Sequence, residues 1–423
     1  MQPRPAAIRR NQQTLVKLDT FLAQALAVMI VLFAAPLFLD LAVCIAGNLR
    51  RARRPHAAPG RTIRLAVVVP AHDEETMIAD TVQSLLAAGC TVKGAEREDG
   101  SAGDAGVPIY VVAHNCSDAT AAVAAAAGAR VVEIKNPRLA GKGAALRCGF
   151  QAAHAEGANA FLVVDADSVV SPNLIAAIKA ALEAGAEVTQ CRYELELPSG
   201  PFHPLARLRV LAFRGINVLR ARGRAGLGFS AGLFGNGFAV TAETLARVPF
   251  SADSIVEDIE YHTRLAAAGV SVHWVEEATV WGPLAAAGAA RATQEARWEG
   301  GRFHVAAHST GRLLKAALSG EWRALEMLAE VWSLPLSRGI MALLLTAFVP
   351  LHWLHLFALG CAIITVVYVI EAALLGGEPW LDLAALAAAP LHIAWKAAVT
   401  PLVLRQSRSG AEWSRTRREA RQP

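Results

Sequence analysis

The sequence predicts an α/β domain on a mostly parallel sheet, held between membrane-crossing helices at its two ends. Two observations carry this reading. From 61 to about 320, short β-branched runs alternate with helical stretches, the pattern of βαβ units whose strands stack in parallel. Outside that region lie apolar runs long enough to cross a hydrocarbon core of roughly 30 Å, which takes about 20 residues. Composition agrees with the division. Of 423 residues, 54% are hydrophobic and 18% charged, against about 25% charged in soluble domains. The shift is too large for a wholly soluble chain and too small for one wholly in membrane.

Residues 1–19 form a basic tail, followed by an apolar helix over 20–47. No small-residue cleavage site follows it, so the helix reads as a retained span. A basic linker, 48–60, brings Arg50, Arg51, Arg53 and Arg54, a cluster that marks the cytoplasmic side. The tail before the span is basic too, so the charge rule alone does not decide.

In the soluble region, strands are expected at Leu65–Val69, Ile109–Ala113, Arg130–Ile134 and Ala160–Val164. Helices are expected at Glu75–Ala88, Ala119–Ala127 and Lys142–Ala153. In such sheets ligands sit beyond the carboxyl ends of the strands. The Gly- and acid-rich stretch 91–108 reads as a surface insertion.

An interfacial segment, 321–338, precedes a second apolar region that Pro350 and the LHWLH at 351–355 divide into a hairpin, 339–354 and 356–375. A third segment, 381–404, contains Asp382, Pro390, Lys396 and Pro401. A central Lys is costly in hydrocarbon, so this segment is a span or an interfacial helix. The basic tail 405–423 stays cytoplasmic by the positive-inside rule. With the middle of the chain also inside, two C-terminal spans are expected, with the third segment on the surface. The net charge of +5 divides accordingly. Residues 1–17, 50–64 and 405–423 hold 16 basic and 2 acidic residues, leaving 25 and 34 elsewhere. The positive charge is a collar at the membrane surface, and nothing in it demands nucleic acid.

Several chemistries are excluded. The six cysteines form no CxxC pair, which argues against a disulfide framework or a zinc spacing. There is no GxxxxGK[ST], no GxGxxG after the first strand and no HExxH.

Three clusters carry candidate chemistry. The fourth strand runs into Asp165-Ala166-Asp167-Ser168. Two carboxylates at a strand end suit Mg²⁺ or Mn²⁺, which favour oxygen donors; a solvated turn before Pro172 reads equally well. Glu257, Asp258 and Glu260 sit among Ile, Val and Tyr. They read either as a poised general base or as acids at a helix N-terminus. Gln294, Arg297 and Trp298 share one helix face. Arg suits a diphosphate and Trp a sugar or nucleobase, but a core Trp beside a snorkelling Arg gives the same pattern.

Taken together, PAHDEE (70–75), NCSDAT (115–120), GKGAAL (141–146), DADS (165–168), FGNGFAV (234–240), EDIEY (257–261) and QEARW (294–298) resemble the motifs of membrane-bound family-2 inverting glycosyltransferases, in the same order and ending in QxxRW. The tail AEWSRTRRE resembles exopolysaccharide-type bacterial members. The resemblance implies a GT-A fold for 61–320. It implies a nucleotide-sugar site near Pro70, Ala71, Asp73 and Glu75, with Asp118, Lys142 and Asp165 facing the same pocket. His114 stands where members usually carry an Asp that contacts uracil. Asp167, with Asp165 behind it, takes the metal position. Asp258 takes the catalytic base position beside Glu257, and Gln294, Arg297 and Trp298 form the acceptor and diphosphate clamp.

The implied reaction moves a sugar from a nucleotide-sugar, a UDP-sugar by resemblance, to a hydroxyl on a glycan or lipid acceptor. It inverts the anomeric centre to a β-linkage and uses Mg²⁺ or Mn²⁺. The implied setting is the cytosolic face of a bacterial inner membrane, in exopolysaccharide or cell-surface glycan synthesis. Two C-terminal spans are few for a polymer channel, so a dimer or an export partner is expected if a polymer is made. A one-step glycolipid synthase, a membrane-anchored nucleotidyltransferase and a non-catalytic export scaffold are the alternatives.

Overall fold

The computed structural model describes residues 5–50, 61–92, 106–139, 141–198, 200–251, 254–284 and 289–408. Most of the basic linker, residues 93–105 of the expected insertion, and the C-terminal tail beyond 408 lie outside the described residues.

The soluble region is built on one mixed sheet. Its strands are β1 (Leu65–Ala71), β2 (Cys90–Thr91), β3 (Val107–His114), β4 (Arg130–Ile134), β5 (Ala160–Val163), β6 (Val169–Val170), β7 (Val188–Leu195), β8 (Phe238–Thr241) and β9 (Val272–Gly282). The order is β2-β3-β1-β5-β8-β7-β9-β6, with β4 also on β3. β1 pairs in parallel with β3 (Val67 opposite Ile109) and with β5 (Val67 opposite Leu162). The sheet turns antiparallel at β8, where Val163 faces Phe238, and returns to parallel between β7 and β9.

Side chains alternate across the strands and both faces are covered, as parallel sheets require. Val67, Val69, Val111 and Leu162 pack under helices Ile78–Ala87 and Leu174–Glu183. Val68, Val112, Phe161 and Val163 pack under helices Lys142–Ala155 and Glu257–Ala267.

Among the described residues, three helices are long and apolar enough to cross a membrane: Thr20–Asn48, His352–Leu374 and Pro379–Arg405. The first lies at the end of a longer helix that begins at Pro5. It buries Ala27, Ile30, Ala34, Leu37, Leu41 and Cys44 on one face and exposes Leu26, Met29, Leu32, Phe33 and Leu39 on the other. The second runs beside it in the same direction, since Ala27 and Ile30 cluster with Leu354 while Asn48 Nδ2 donates to Glu371 Oε2 at 3.3 Å.

The expected hairpin is cut differently. Pro350 falls in a short break, and LHWLH belongs to the following helix, which begins at His352. Proline pushes the residue before it into extended backbone, and Val349 is extended there. The segment expected at 339–354 is a short helix, Leu336–Leu345, ending in a tight 3₁₀ turn. It bends by 67° from helix Trp322–Trp332. Thirteen residues from Leu336 to Phe348 rise only about 20 Å, too little to span alone.

The catalytic side holds the first span tightly. Asp40 Oδ2 accepts from Arg220 Nε at 2.5 Å and its Oδ1 from Arg224 Nη1 at 3.0 Å. Arg220 also pairs with Glu330 at 3.1 Å, and Arg224 with Glu326 at 2.5 Å. Nearby the backbones of Gly47 and Gly223 touch. A Cβ on Gly47 would overlap the Gly223 carbonyl, and one on Gly223 would overlap the Cys44 backbone.

The third candidate span packs along helix Ala289–Leu318, with Trp395, Val399 and Val403 against Ala292, Ala296 and Phe303. Lys396, the costly residue of the sequence, pairs with Glu295 and lies 3.0 Å from Glu299, which also meets Arg338.

Candidate active site

β1, β3 and β5 are parallel, so their carboxyl ends, at Ala71, His114 and Val163, open on one edge. β8 runs opposite to β5, and the turn before it, Phe234–Gly237, arrives at the same edge. There Gly237 N donates to Val163 O at 2.9 Å. A cavity of about 470 Å³ lies over this edge.

Most of the residues singled out by sequence line that cavity: Pro70, Ala71 and His114; Lys142, Asp165 and Asp167; Glu257 and Asp258; Gln294, Arg297 and Trp298. Asp73, Glu75 and Asp118 do not. They join the loop after β1 to the loop after β3. Ser117 N donates to Asp73 at 2.6 Å, Glu75 N to Asp118 at 3.1 Å, and Ala119 N to Glu75 at 2.9 Å. These carboxylates satisfy backbone donors and shape one wall from behind.

Lys142 is the electrostatic centre. Its Nζ lies 2.6 Å from Asp165 and 3.3 Å from Glu257, and donates to Gly235 O at 2.7 Å. Burial pulls the ammonium down, but Asp165 and Glu257 more than offset it and hold its pKa above the ordinary lysine value. Burial raises Glu257 against the lowering pull of Lys142. Asp258 is raised to about 7, first by burial and then by the Glu257 charge. Glu257 and Asp258 also occupy the first turn of helix Glu257–Ala267, so the helix N-terminus and the poised acid are one feature. Glu260, by contrast, serves structure: it pairs with Arg264 at 2.7 Å and accepts from Ser254 N.

Gly235 has a φ of 74°, a conformation that favours glycine. A Cβ there would come within 3.1 Å of Asp258 Oδ2, so the missing side chain leaves room beside that oxygen. His114 is buried and its imidazole is shifted toward the neutral form by that burial. Burial also lowers Arg297, and the nearby Glu257 charge partly offsets it.

Two residues that hold the site escaped the sequence reading. Gln190 is fully buried on β7. Its Oε1 accepts from Phe234 N at 3.0 Å and its Nε2 donates to Asn236 O at 2.7 Å. Asn236 in turn accepts from Asp165 N at 3.1 Å and donates to Ser168 Oγ at 2.8 Å. The two tie the glycine turn to the DADS loop. The sequence carries little signal for Gln190, which is one of several polar residues in VTQCRYEL.

Asp165 and Asp167 form an all-oxygen donor pair facing the cavity, which fits a hard cation that keeps substrate oxygens in its shell. Asp73, Cys116 and Asp118 also bring ligand atoms within 4.8 Å of one another. That set fits less well, because its carboxylates already accept backbone N–H groups and burial keeps the Cys116 thiol protonated.

A mostly parallel α/β sheet with carboxylates and a basic clamp at its carboxyl edge defines a GT-A-type transferase acting on nucleotide-sugars. The chain belongs to the glycosyltransferase-like family 2, which it matches over residues 62–301. No curated protein sequence matches it significantly. Among solved structures it is similar to the mannosyltransferase PcManGT of Pyrobaculum calidifontis in complex with GDP-Man and Mn²⁺. Identity is 18%, coverage is 86% of this chain and 98% of that one, and the TM-score is 0.50. It also resembles glucosyl-3-phosphoglycerate synthase of Mycobacterium tuberculosis (24% identity, 52% and 70% coverage, TM-score 0.35) and S. aureus TarS with UDP-GlcNAc (13%, 64% and 71%, 0.43).

Proposed function

We propose that this glycosyltransferase inverts the anomeric centre of its donor, at the cytosolic face of a bacterial inner membrane, and builds a β-linked cell-surface glycan or glycolipid. One observation carries the reading. The DADS carboxylates, the Glu257–Asp258 pair and Gln294, Arg297 and Trp298 share one cavity, although more than 120 residues separate the first from the last.

In this reading Asp167, with Asp165, holds Mg²⁺ or Mn²⁺, which when bound offsets charge on the diphosphate. Mn²⁺ in the mannosyltransferase of like fold is in keeping with that. The Arg297 guanidinium adds positive charge at the leaving group. Such fixed charges are usually the largest catalytic contribution. Lys142 orients Asp165 and neutralises Glu257, leaving Asp258 to accept the acceptor's proton. A hydroxyl so activated attacks the face opposite the diphosphate, and one displacement inverts the centre.

A uracil base follows from the family resemblance but not from the contact residue, since His114, buried at the end of β3, stands in place of the usual Asp. Helix Pro379–Arg405 is assigned to the membrane surface, because Lys396 points to carboxylates of the catalytic region and not into lipid.

The purified full-length chain in detergent, offered UDP- and GDP-sugars, tests the reading. Nucleoside diphosphate release that depends on Mn²⁺ or Mg²⁺ and stops with EDTA is expected. Release of inorganic diphosphate instead would indicate nucleotidyl transfer and refute it.

A further inference from the structure

The same cavity continues past the catalytic carboxylates to a floor at the membrane plane. Arg220 and Glu330 line it, and Arg220 pairs with both Glu330 and Asp40. Asp40 lies twenty residues beyond Thr20, a rise of about 30 Å, which is the thickness of the hydrocarbon core. The floor therefore lies against the half of the first candidate span, Thr20–Asn48, that faces the catalytic region.

The walls change character toward that floor. Ile216 is 47% exposed and Trp298 41% exposed, and both face the cavity. Ile216 belongs to a π-helical stretch, Gly215–Arg220, a rare geometry that recurs at functional sites. Across from it, helix Ala389–Arg408, the start of which carries His392, closes the mouth, and its Leu391 is 63% exposed.

Charge selects the acceptor. Four cations line this end: Arg220 and Lys396 are each paired with two carboxylates, Arg302 donates to Glu330 O, and Arg209 stands beside them, so most of the positive charge here is already engaged. The reacting end carries Asp165, Asp167, Glu257 and Asp258; its Lys142 is paired with Asp165 and Glu257, and its Arg297 goes to the donor diphosphate in the reading above, which leaves little to hold a second anion. An acceptor that is already ionised, such as a phosphate, needs no base, whereas Asp258 is built as one.

We infer that the acceptor is an uncharged lipid with a free hydroxyl, of the diacylglycerol kind, which enters through the membrane-facing mouth while its chains stay in the bilayer. The inference rests on the glycosyl-transfer reading above. The lipid O–H gives its proton to the Asp258 carboxylate. The lipid oxygen bonds to the anomeric carbon as that carbon's bond to the diphosphate oxygen breaks, and the nucleoside diphosphate leaves with the bonding pair.

The test uses the full-length chain in phosphatidylcholine vesicles, plain or doped with diacylglycerol or with a polyprenyl phosphate, and a donor labelled in its sugar. Label should enter the chloroform phase as one discrete product, at least about tenfold faster with diacylglycerol than with plain vesicles or polyprenyl phosphate. Ile216→Asp should cut that transfer about tenfold or more, while Mn²⁺-dependent nucleotide binding, measured by calorimetry, shows the fold intact. Label confined to a water-soluble product or a ladder of long chains, or a preference for polyprenyl phosphate, would overturn the inference but leave glycosyl transfer standing. Nucleotide bound without any sugar transferred, to lipid, soluble sugar or water, would overturn the transfer reading itself.

Discussion

Replacing Asp258 by Asn isolates proton acceptance from everything else the residue does. Asp258 Oδ1 accepts the Ile259 backbone N–H at 2.8 Å, a bond that an Asn oxygen reproduces. The other oxygen, beside Gly235, becomes an NH₂ that donates and cannot take a proton. Glu257 is no substitute, because it is buried and held by Lys142 at 3.3 Å. The loss should therefore fall in the full range for general base catalysis, about 10²–10⁴-fold in kcat, or about 2.7–5.4 kcal/mol of barrier. Initial rates of nucleoside diphosphate release measure it, with nucleotide binding measured in parallel. Transfer within about threefold of the native rate, with binding intact, would refute the assignment.

The same residue sets a pH dependence. Its ionised form is the base, and burial together with Glu257 raises it to about 7. The rate should fall about tenfold per pH unit below 7 and level off above it, and that limb should vanish in the Asn variant. The stability linkage has the opposite sense. A carboxyl raised by folding favours the fold while it is protonated, and that contribution is lost as pH rises from the ordinary carboxylate range toward 7.

Lys396→Met strands Glu295 and Glu299 without their shared cation. With the lysine side chain 13% exposed, the cost should be about 3 kcal/mol, read as a lowered Tm in detergent; an unchanged Tm would show that the helix is not held by this pair. Gly223→Val drives methyl groups into the Cys44 backbone, which has no rotamer with which to yield. Overpacking of this kind costs about 1–3 kcal/mol, and thermal unfolding should show it, whereas Gly311→Val, also helical and with open space at its Cβ, controls for the change of helix propensity alone. Gln190→Leu removes two hydrogen bonds to the turn before β8 and leaves buried backbone groups unsatisfied, at about 1–3 kcal/mol; weaker nucleotide binding and slower transfer are both expected.

The first half of the sheet was legible in the sequence because each strand there is a compact β-branched run with a helix after it. The expected Arg130–Ile134 strand matches β4, and Ala160–Val164 differs from β5 by one residue. β7, β8 and β9 were not read. β7 and β9 mix polar and charged residues with apolar ones, β8 is only four residues long, and all three are fixed by pairing across distant segments, as in the Val188–Val240 and Val188–Val272 pairs. At the site, the cavity-lining carboxylates were readable as motifs. The separate duty of Asp73, Glu75 and Asp118 was not, because a carboxylate that caps a loop and one that faces a ligand look alike in sequence. The Asp40 pairing was also hidden: an acid inside an apolar run shows its purpose only when Arg220 and Arg224 are brought against it.

That pairing ties the enzyme to the dimensions of its lipid. Between Thr20 and Asp40 the helix is about as long as an average bilayer is thick, and the carboxylate at its end is clamped to the catalytic region. In a thicker membrane the stretch falls short, and in a thinner one the helix must lean. Gly47 and Gly223, in backbone contact, couple the helix to the catalytic region, so a leaning of the helix would pass to that region and change the angle at which its mouth meets the surface. Acyl-chain length would then act as a gauge on this enzyme, and turnover in vesicles of graded chain length is expected to peak where hydrocarbon thickness and helix length agree.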